Sequence, residues 1–454
     1  MGFTNGASRH LSSSLIKKVR SVRHLERAWR VIENNARSSK SEDVKKEIEA
    51  FRENASGNLR SLCGRLVKGT FKFAPAKGLP IPKTDKNGKK SKSQFRPIVL
   101  ADVESRIVQR AILDVLLTIP DLQKYIHTPH SFGGVRKVSE DGLAAVPAAI
   151  KEVLTSIGNG SKFIATADIS AFFTRISKAA VTKIIADAVR DEQFMQLFER
   201  AIQVELSNMA QLREKADAFP MSDIGVAQGN CLSPLLGNII LYEFDRQMNG
   251  GDCRCIRYID DFIILAPTCE TAQECMTISA SILSSLKMNL SKEKSSKEPV
   301  PITAAFEFLG IEFNNGLLRP SAKARAKYLD SLRSIFEESA KAIREFSPGK
   351  PFVSSNSLVA TLKRVDGLSQ GWAKHYRFCN DKNMFEVVDS KISKMIGAFI
   401  GNYSAAIENL DAQERRILLG VGRLSDLEFK PFEWPKSNVI ERRTLDITQS
   451  FSVA

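Results

Sequence analysis

The sequence predicts a mixed α+β fold, and three observations predict it. Two short β-rich apolar runs, FIATADISAFF at 163–173 and CIRYIDDFIILA at 255–266, lie in the middle third with helical stretches between them. Ahead of them, Val103, Ile107, Val108, Ala111, Ile112, Val115 and Leu116 recur at helical spacing after Asp102, whose carboxylate suits a helix start. Beyond roughly residue 320 the pattern is helical again. Leu332, Ile335, Phe336, Ala340 and Ile343 form one stripe, and Leu358, Leu362, Val365, Leu368, Trp372 and Tyr376 form another. The breaker run Ser347-Pro348-Gly349-Lys350-Pro351 divides the two.

In chain order, residues 1–70 read as a basic, helix-rich extension outside the core. Leu25, Ala28, Trp29 and Ile32 share one face, and Val44, Ile48 and Phe51 share another behind the acidic start Glu42-Asp43. Residues 83–96, KTDKNGKKSKSQFR, carry six basic side chains against one acid around Asn87-Gly88, the composition of an exposed hairpin tip. The 454 residues exceed what one hydrophobic core usually organises. The expected domains are 1–70, a core at 71–318, a helical segment at 319–400 and a C-terminal extension at 401–454.

Charge narrows the partners. Lys and Arg number 66 and Asp and Glu 51, a formal net charge of +15 that favours a polyanion. No apolar run is long enough to span a bilayer, and the start, MGFTNGASRHLSSSLIKKVR, lacks the apolar core of a signal peptide, so no membrane association is expected. Seven cysteines are too sparse for a disulfide scaffold and point to a reducing, cytoplasmic setting.

The chemistry lies in the two β-rich runs. An ionised carboxylate inside an apolar strand must be compensated by a partner charge or a metal. Asp168 closes Phe163-Ile164-Ala165-Thr166-Ala167, and Asp260-Asp261 interrupt the second run at a hairpin bend. Side by side, the two strand ends would gather three carboxylates, a cluster suited to hard divalent cations such as Mg²⁺. Two such ions serve in-line phosphoryl transfer. A Tyr-x-Asp-Asp string arises by chance in such a chain on the order of 0.01–0.02 times, so context decides.

In that context the chain resembles the reverse transcriptases, and among them the enzymes encoded by group II introns. The matching pieces keep the family's order: FRPIVLADVESRIVQRAI at 95–112, SFGGVRKVS at 131–139, ADISAFF at 167–173, GVAQGNCLSPLLGNI at 225–239, YIDD at 258–261, KMNLSKEKS at 287–295, FEFLGIEF at 306–313 and GWAKHYRF at 371–378. The resemblance implies a right-hand polymerase, with fingers and an antiparallel palm in 71–318 and a helical thumb in 319–400. It implies an RNA-directed DNA polymerase using two Mg²⁺ ions, with Mn²⁺ as substitute, and having an RNA template, dNTPs and a cDNA product as partners.

Residue by residue, it implies that Asp168, Asp260 and Asp261 are catalytic and bind metal, with the backbone carbonyl of Ile169 as a further ligand. Phe173 matches the aromatic beneath the sugar that excludes a 2′-hydroxyl. Arg96 matches a residue that pairs with the incoming triphosphate. Gln228 and Gly229 match the nucleotide-pocket motif. Lys83, Lys86, Lys89, Lys90 and Lys92 are nucleic-acid contacts, as are Lys294 and the Phe308-Leu309-Gly310 turn toward the primer and Lys374, His375 and Arg377 toward an RNA-containing duplex. Phe172 and Trp372 are expected in the core.

Departures from the family bear on its subdivisions. Ala227 stands where proline is usual before Gln228-Gly229. The five histidines all precede residue 380, so no zinc or His-Asn-His nuclease pattern follows the thumb, and Cys253, Cys255, Cys269 and Cys275 lack zinc-site spacing. The NAxxH and VTG signatures of retron enzymes are missing. The remaining resemblance is to stand-alone bacterial defence enzymes that copy a dedicated noncoding RNA; an intron maturase is the alternative. Priming group and homo-oligomer formation are left open by the sequence.

Overall fold

The computed structural model describes residues 14–432 except 38, 40, 85–89, 135–141, 144, 348, 425–427 and 429. Two compact units result. One takes the chain up to Arg325 together with Tyr376–Lys382, and the other takes Ala326–His375 and the chain from Asn383 onward.

The first unit opens with helices α1 (Leu15–Val19), α2 (Val22–Ala36), α3 (Glu42–Glu53) and α4 (Ala55–Val67), followed by the antiparallel hairpin of β1 (Lys77–Thr84) and β2 (Lys90–Leu100). Helices α5 (Val103–Leu116), α6 (Gln123–Ile126) and α7 (Ala145–Gly158) lead to strand β3 (Phe163–Asp168). Then come α8 (Lys178–Ala188), α9 (Glu192–Ile202), α10 (Met209–Leu212), α11 (Ser233–Ile240) and α12 (Tyr242–Met248). The hairpin β4 (Arg254–Tyr258) and β5 (Asp261–Ala266), helix α13 (Cys269–Ser285) and strands β6 (Val300–Pro301), β7 (Phe306–Phe308), β8 (Ile311–Asn314) and β9 (Leu317–Pro320) complete it. The central sheet has the order β4-β5-β3-β6, with every pairing antiparallel, and β7-β8-β9 form a second antiparallel sheet.

Burial on both faces explains the unbroken apolar run of β5. Phe262, Ile264 and Ala266 join one hydrophobic cluster with Ala165 and Ala167, whereas Ile263 and Leu265 join another with Ile164 and Ile256. Each Phe, Ile or Leu among them contributes about 1.5–3 kcal/mol on burial. The sheet end that carries the acids is therefore fixed by packing on both sides.

The residues before 70 depart from the expected separate extension. Leu25, Ala28 and Trp29 of α2, Ile48 and Phe51 of α3 and Leu59 of α4 belong to the same cluster as Ile107 and Ile112 of α5. Their amphipathic faces lack a core of their own and are completed by α5. Asp102 caps α5 as its position suggests, accepting from the backbone N–H groups of Glu104 and Ser105. A disulfide joins Cys253 to Cys275, 22 residues on, where the sparse cysteines read as thiols; it ties the entry to β4 onto α13.

The second unit is helical. It contains most of α14 (Ala322–Arg344) and α15 (Leu358–Tyr376), followed by α16 (Lys382–Ile407) and α17 (Ala412–Leu419). Tyr328 stacks on Trp372 at 4.5 Å and Phe336 meets Phe399 at 5.1 Å, within one cluster that includes Leu332 and Val365. Trp372 is thus a packing residue. Helix α16 runs unbroken through residues 400 and 401, where the sequence reading ended the helical segment. Among the described residues, no helix is long and apolar enough to cross a membrane.

Candidate catalytic site

Strand register assembles the site. In the antiparallel ladder of β3 and β5, Asp168 stands opposite Asp261, and in that of β4 and β5, Tyr258 stands opposite Asp261. Ile259 and Asp260 are therefore the two residues of a tight hairpin bend. The Ile169 N–H donates to the Asp260 carbonyl at 2.9 Å, tying the bend to the strand beside it. Asp168, Asp260 and Asp261, 92 or more residues apart across the two strands, meet at one end of the sheet.

The electrostatics of this end are strained by its own charges. Burial, then Asp260 and Asp168, push the Asp261 carboxyl up to about 7, and Asp261 shares a hydrogen bond with Asp168. Burial and then Asp168 also raise Asp260. The nearest relief is Lys294, whose Nζ lies 2.7 Å from Asp168 Oδ1. Burial opposes the charge of that ammonium, and its bond to Asp168 and the fields of Asp261 and Asp260 outweigh this and raise its pKa. Arg96 is exposed on β2, and its field reaches Asp260.

The segment bearing Lys294 is itself clamped along β3. Ser291 N–H donates to the Asp168 carbonyl at 2.7 Å, Ser170 N–H to the Asn289 carbonyl at 2.8 Å, and Ser295 Oγ accepts from Asp168 N–H at 3.3 Å. These residues lie in the KMNLSKEKS stretch that carries part of the family resemblance, but the sequence pointed Lys294 toward the primer, and its contact with Asp168 was not expected.

The donor set fits divalent cations. Three carboxylates meet where Lys294 and the field of Arg96 offset them, and burial with the neighbouring acids pushes Asp261 up to about 7, a condition that bound hard cations relieve. Among the described residues, no three His, Cys, Asp or Glu side chains form a ready-made cage.

Around this centre, the positions singled out in sequence fall as follows. Phe172 is buried, while Phe173 is half-buried with its ring 5.2 Å from that of Phe172, and its carbonyl accepts from Val226 N–H. Gln228 and β2 are joined, its carbonyl accepting from Val99 N–H at 2.8 Å, and its side-chain Oε1 is buried with no partner among the described residues. Gly229 has φ 116°, and a Cβ there would lie 2.6 Å from the Val99 carbonyl oxygen, so the close approach requires glycine. Lys83 is exposed on β1; Lys90 and Lys92 lie on β2; Lys86 and Lys89 fall outside the described residues. Leu309 and Gly310 form the positive-φ bend between β7 and β8, with Phe308 buried beneath it. Lys374 and His375 are exposed at the end of α15, and Arg377 is exposed just after it.

Known proteins resemble the chain over part of its length. The family described as reverse transcriptase (RNA-dependent DNA polymerase) matches residues 81–313. Protein YkfC of Escherichia coli is 28% identical over 193 residues, 42% of this chain and 45% of YkfC. An uncharacterized 91 kDa protein in cob intron of Schizosaccharomyces pombe is 25% identical, over 38% of this chain and 19% of that protein. The chain thus spans less than half the length of these curated relatives. Among solved structures, apo telomerase from Candida tropicalis is 13% identical with a TM-score of 0.42, covering 76% of this chain and 64% of that one. A partial Cas6-RT-Cas1–Cas2 complex is 18% identical with a TM-score of 0.32, covering 61% and 43%.

Proposed function

Since this chain belongs to the reverse transcriptase family, we propose that it is an RNA-directed DNA polymerase that extends a primer with deoxynucleotides. The pairing of Asp168 with Asp261, with Asp260 at the adjoining bend, carries this reading. Asp168, Asp260 and Asp261, with the Ile169 carbonyl, hold the metals, Mg²⁺ in the first place and Mn²⁺ as substitute. When bound, the two cations supply the charge that activates the attacking oxygen and stabilises the leaving one.

The chain's own groups do the rest. Arg96 pairs with the triphosphate, and its field already reaches this site. Gln228 offers its unpartnered Oε1 and Gly229 its open backbone to the nucleotide. Phe173 lies under the sugar and selects against a 2′-hydroxyl. Lys294 steadies the acids, and the lysines of 83–92 with Lys374, His375 and Arg377 carry nucleic acid. In domain terms, 71–318 serve as fingers and palm and 319–400 as thumb.

The template we propose is a dedicated noncoding RNA copied in the cytoplasm for antiphage defence, which the sequence resemblance to such enzymes supports. The intron location in the name of one relative favours a second reading, an intron maturase. Purified protein with Mg²⁺ and primed RNA should incorporate dNTPs, and Asp260→Ala with Asp261→Ala should abolish this. Equal incorporation by wild type and variant refutes the polymerase reading. Sequencing the RNA and cDNA that copurify separates a short noncoding template from a structured intron.

A further inference from the structure

The bend that carries Asp260 has a backbone that its sequence does not favour. Ile259, its first residue, has φ 62°, a left-handed conformation that a β-branched side chain adopts only when its surroundings hold it there. The holding group is two residues upstream. Arg257, on β4, is fully buried at 0% exposure. Its Nε and one terminal nitrogen bond the two oxygens of Asp245 on α12 at 2.7 and 2.6 Å. Its other terminal nitrogen donates to the Ile259 carbonyl at 2.9 Å. Both terminal nitrogens also reach Asn238 Oδ1 on α11 at 3.3 Å, so all five guanidinium N–H groups have acceptors.

The network encloses the bend from behind. Asn238 Oδ1 also accepts from Ser131 Oγ at 3.2 Å, and its Nδ2 donates to the Gly133 carbonyl at 3.2 Å. A Cβ on Gly133 would lie 2.7 Å from Ile259 Cγ1 and 2.8 Å from the Ile259 nitrogen, so the 131–133 segment lies directly against the strained residue. The main chain of Arg257 is locked in turn, its N–H on the His130 carbonyl at 2.9 Å and its carbonyl accepting from Phe132 N–H at 2.8 Å. An ion pair kept for stability alone would need the bonds to Asp245 but not the one to the bend, and apolar residues commonly replace a buried pair without loss.

We propose that Arg257 is a positioning residue. Anchored on Asp245 and Asn238, it holds the Ile259 carbonyl and thereby keeps the left-handed bend, with Asp260 and Asp261, in register with Asp168 for metal binding. The inference rests on the polymerase reading of those three acids. Arg257→Lys keeps a positive charge for Asp245 but loses the fork that reaches Ile259 at the same time. Ile259→Asn relieves the bend, because asparagine tolerates the left-handed region.

The test is Mn²⁺ binding to the free full chain, followed by the loss of the free-ion EPR signal, with Asp261→Ala defining the site. Arg257→Lys should weaken binding about tenfold or more, the size of effect seen when a supporting hydrogen bond behind metal ligands is removed. Adding Ile259→Asn to it should return the affinity to within about threefold of wild type, whereas Ile259→Asn alone should leave the affinity within about threefold of wild type and raise the thermal unfolding midpoint by the same amount in either background. A recovery of binding that appears only in the Arg257→Lys background, beside an equal gain of stability in both, is what a merely structural role does not give. Should Arg257→Lys fail to fold, Arg257→Met with Asp245→Leu removes the pair without leaving a buried charge, and the same loss and rescue are expected. Wild-type affinity in either variant, no rescue by Ile259→Asn, or no Mn²⁺ site sensitive to Asp261→Ala overturns the proposal. Incorporation of dNTPs on primed RNA is read separately. Its absence from the wild type ends the polymerase reading, while the Mn²⁺ comparison still decides the role of Arg257.

Discussion

Replacing Asp261 with asparagine should make the metal-free protein more stable at pH 8 than the wild type. The Asp261 carboxyl, ordinarily near 3.8, is pushed up to about 7 by burial and by Asp260 and Asp168. A carboxyl whose pKa is raised on folding favours the folded state fully below its unfolded value and loses that contribution as pH rises through its folded value. The loss therefore runs from about pH 4 to about pH 7 and is complete at pH 8. Three pH units at about 1.4 kcal/mol each set an upper limit of roughly 4 kcal/mol, and solvent at the half-buried bend reduces this to roughly 2–4. Asp261→Asn removes the ionisation, so in EDTA its urea midpoint should match that of the wild type near pH 4 and exceed it at pH 8. Adding Mg²⁺ should close the gap by stabilising the wild type alone at pH 8. If the metal-free wild type is as stable at pH 8 as the variant, the crowding of charge at this sheet end has been misjudged.

Other positions give sharper or broader tests. Gly229→Ala places a methyl 2.6 Å from the Val99 carbonyl at φ 116°. It should cost about 1–3 kcal/mol and raise the KM for dNTP more than it lowers kcat; unchanged kinetics would remove Gly229 from the nucleotide pocket. Phe173→Ala should relax sugar discrimination, read by competing rNTP against dNTP, and an unaltered ratio would leave Phe173 as packing alone. RNA binding by a chain of net charge +15 should fall steeply with salt, the log–log slope steepening by about 0.7–0.9 for each phosphate neutralised. A slope shallower than about −2 in filter binding would deny the basic surface a role in holding template.

Local signals read correctly where local physics decides the outcome. The helical stripe from Val103 to Leu116, with Asp102 as its cap, is a helix because cap and periodicity agree. The bend at Asp260 is a hairpin bend because acids interrupt two apolar runs. The register of Asp168 on Asp261 depends on a pairing between distant segments that neither run encodes alone, and only the family resemblance made it expected. The contact of Lys294 with Asp168 spans 126 residues and relies on backbone and hydroxyl bonds of Ser291 and Ser295, so the KMNLSKEKS motif marked the segment without showing which acid its lysine meets. The helices of residues 15–67 looked separable because an amphipathic face does not name its partner, which proved to be α5.

The rule that singled out the aspartates applied equally to Arg257, a charge between Ile256 and Tyr258 in an apolar strand, and the structure separates the two cases by how completely each charge is compensated. Arg257 is closed: every donor has an acceptor, and both oxygens of Asp245 are taken. Such a group has no capacity left for a ligand and acts by holding what it touches. The acids are open: three carboxylates meet where Lys294 and the field of Arg96 offset them, and Asp261 is still pushed up to about 7. An open set calls for added cations, and a closed set beside it fixes where those cations are held. The Ile259 carbonyl, bonded to the closed set one residue before the open one begins, is the point at which the two are joined.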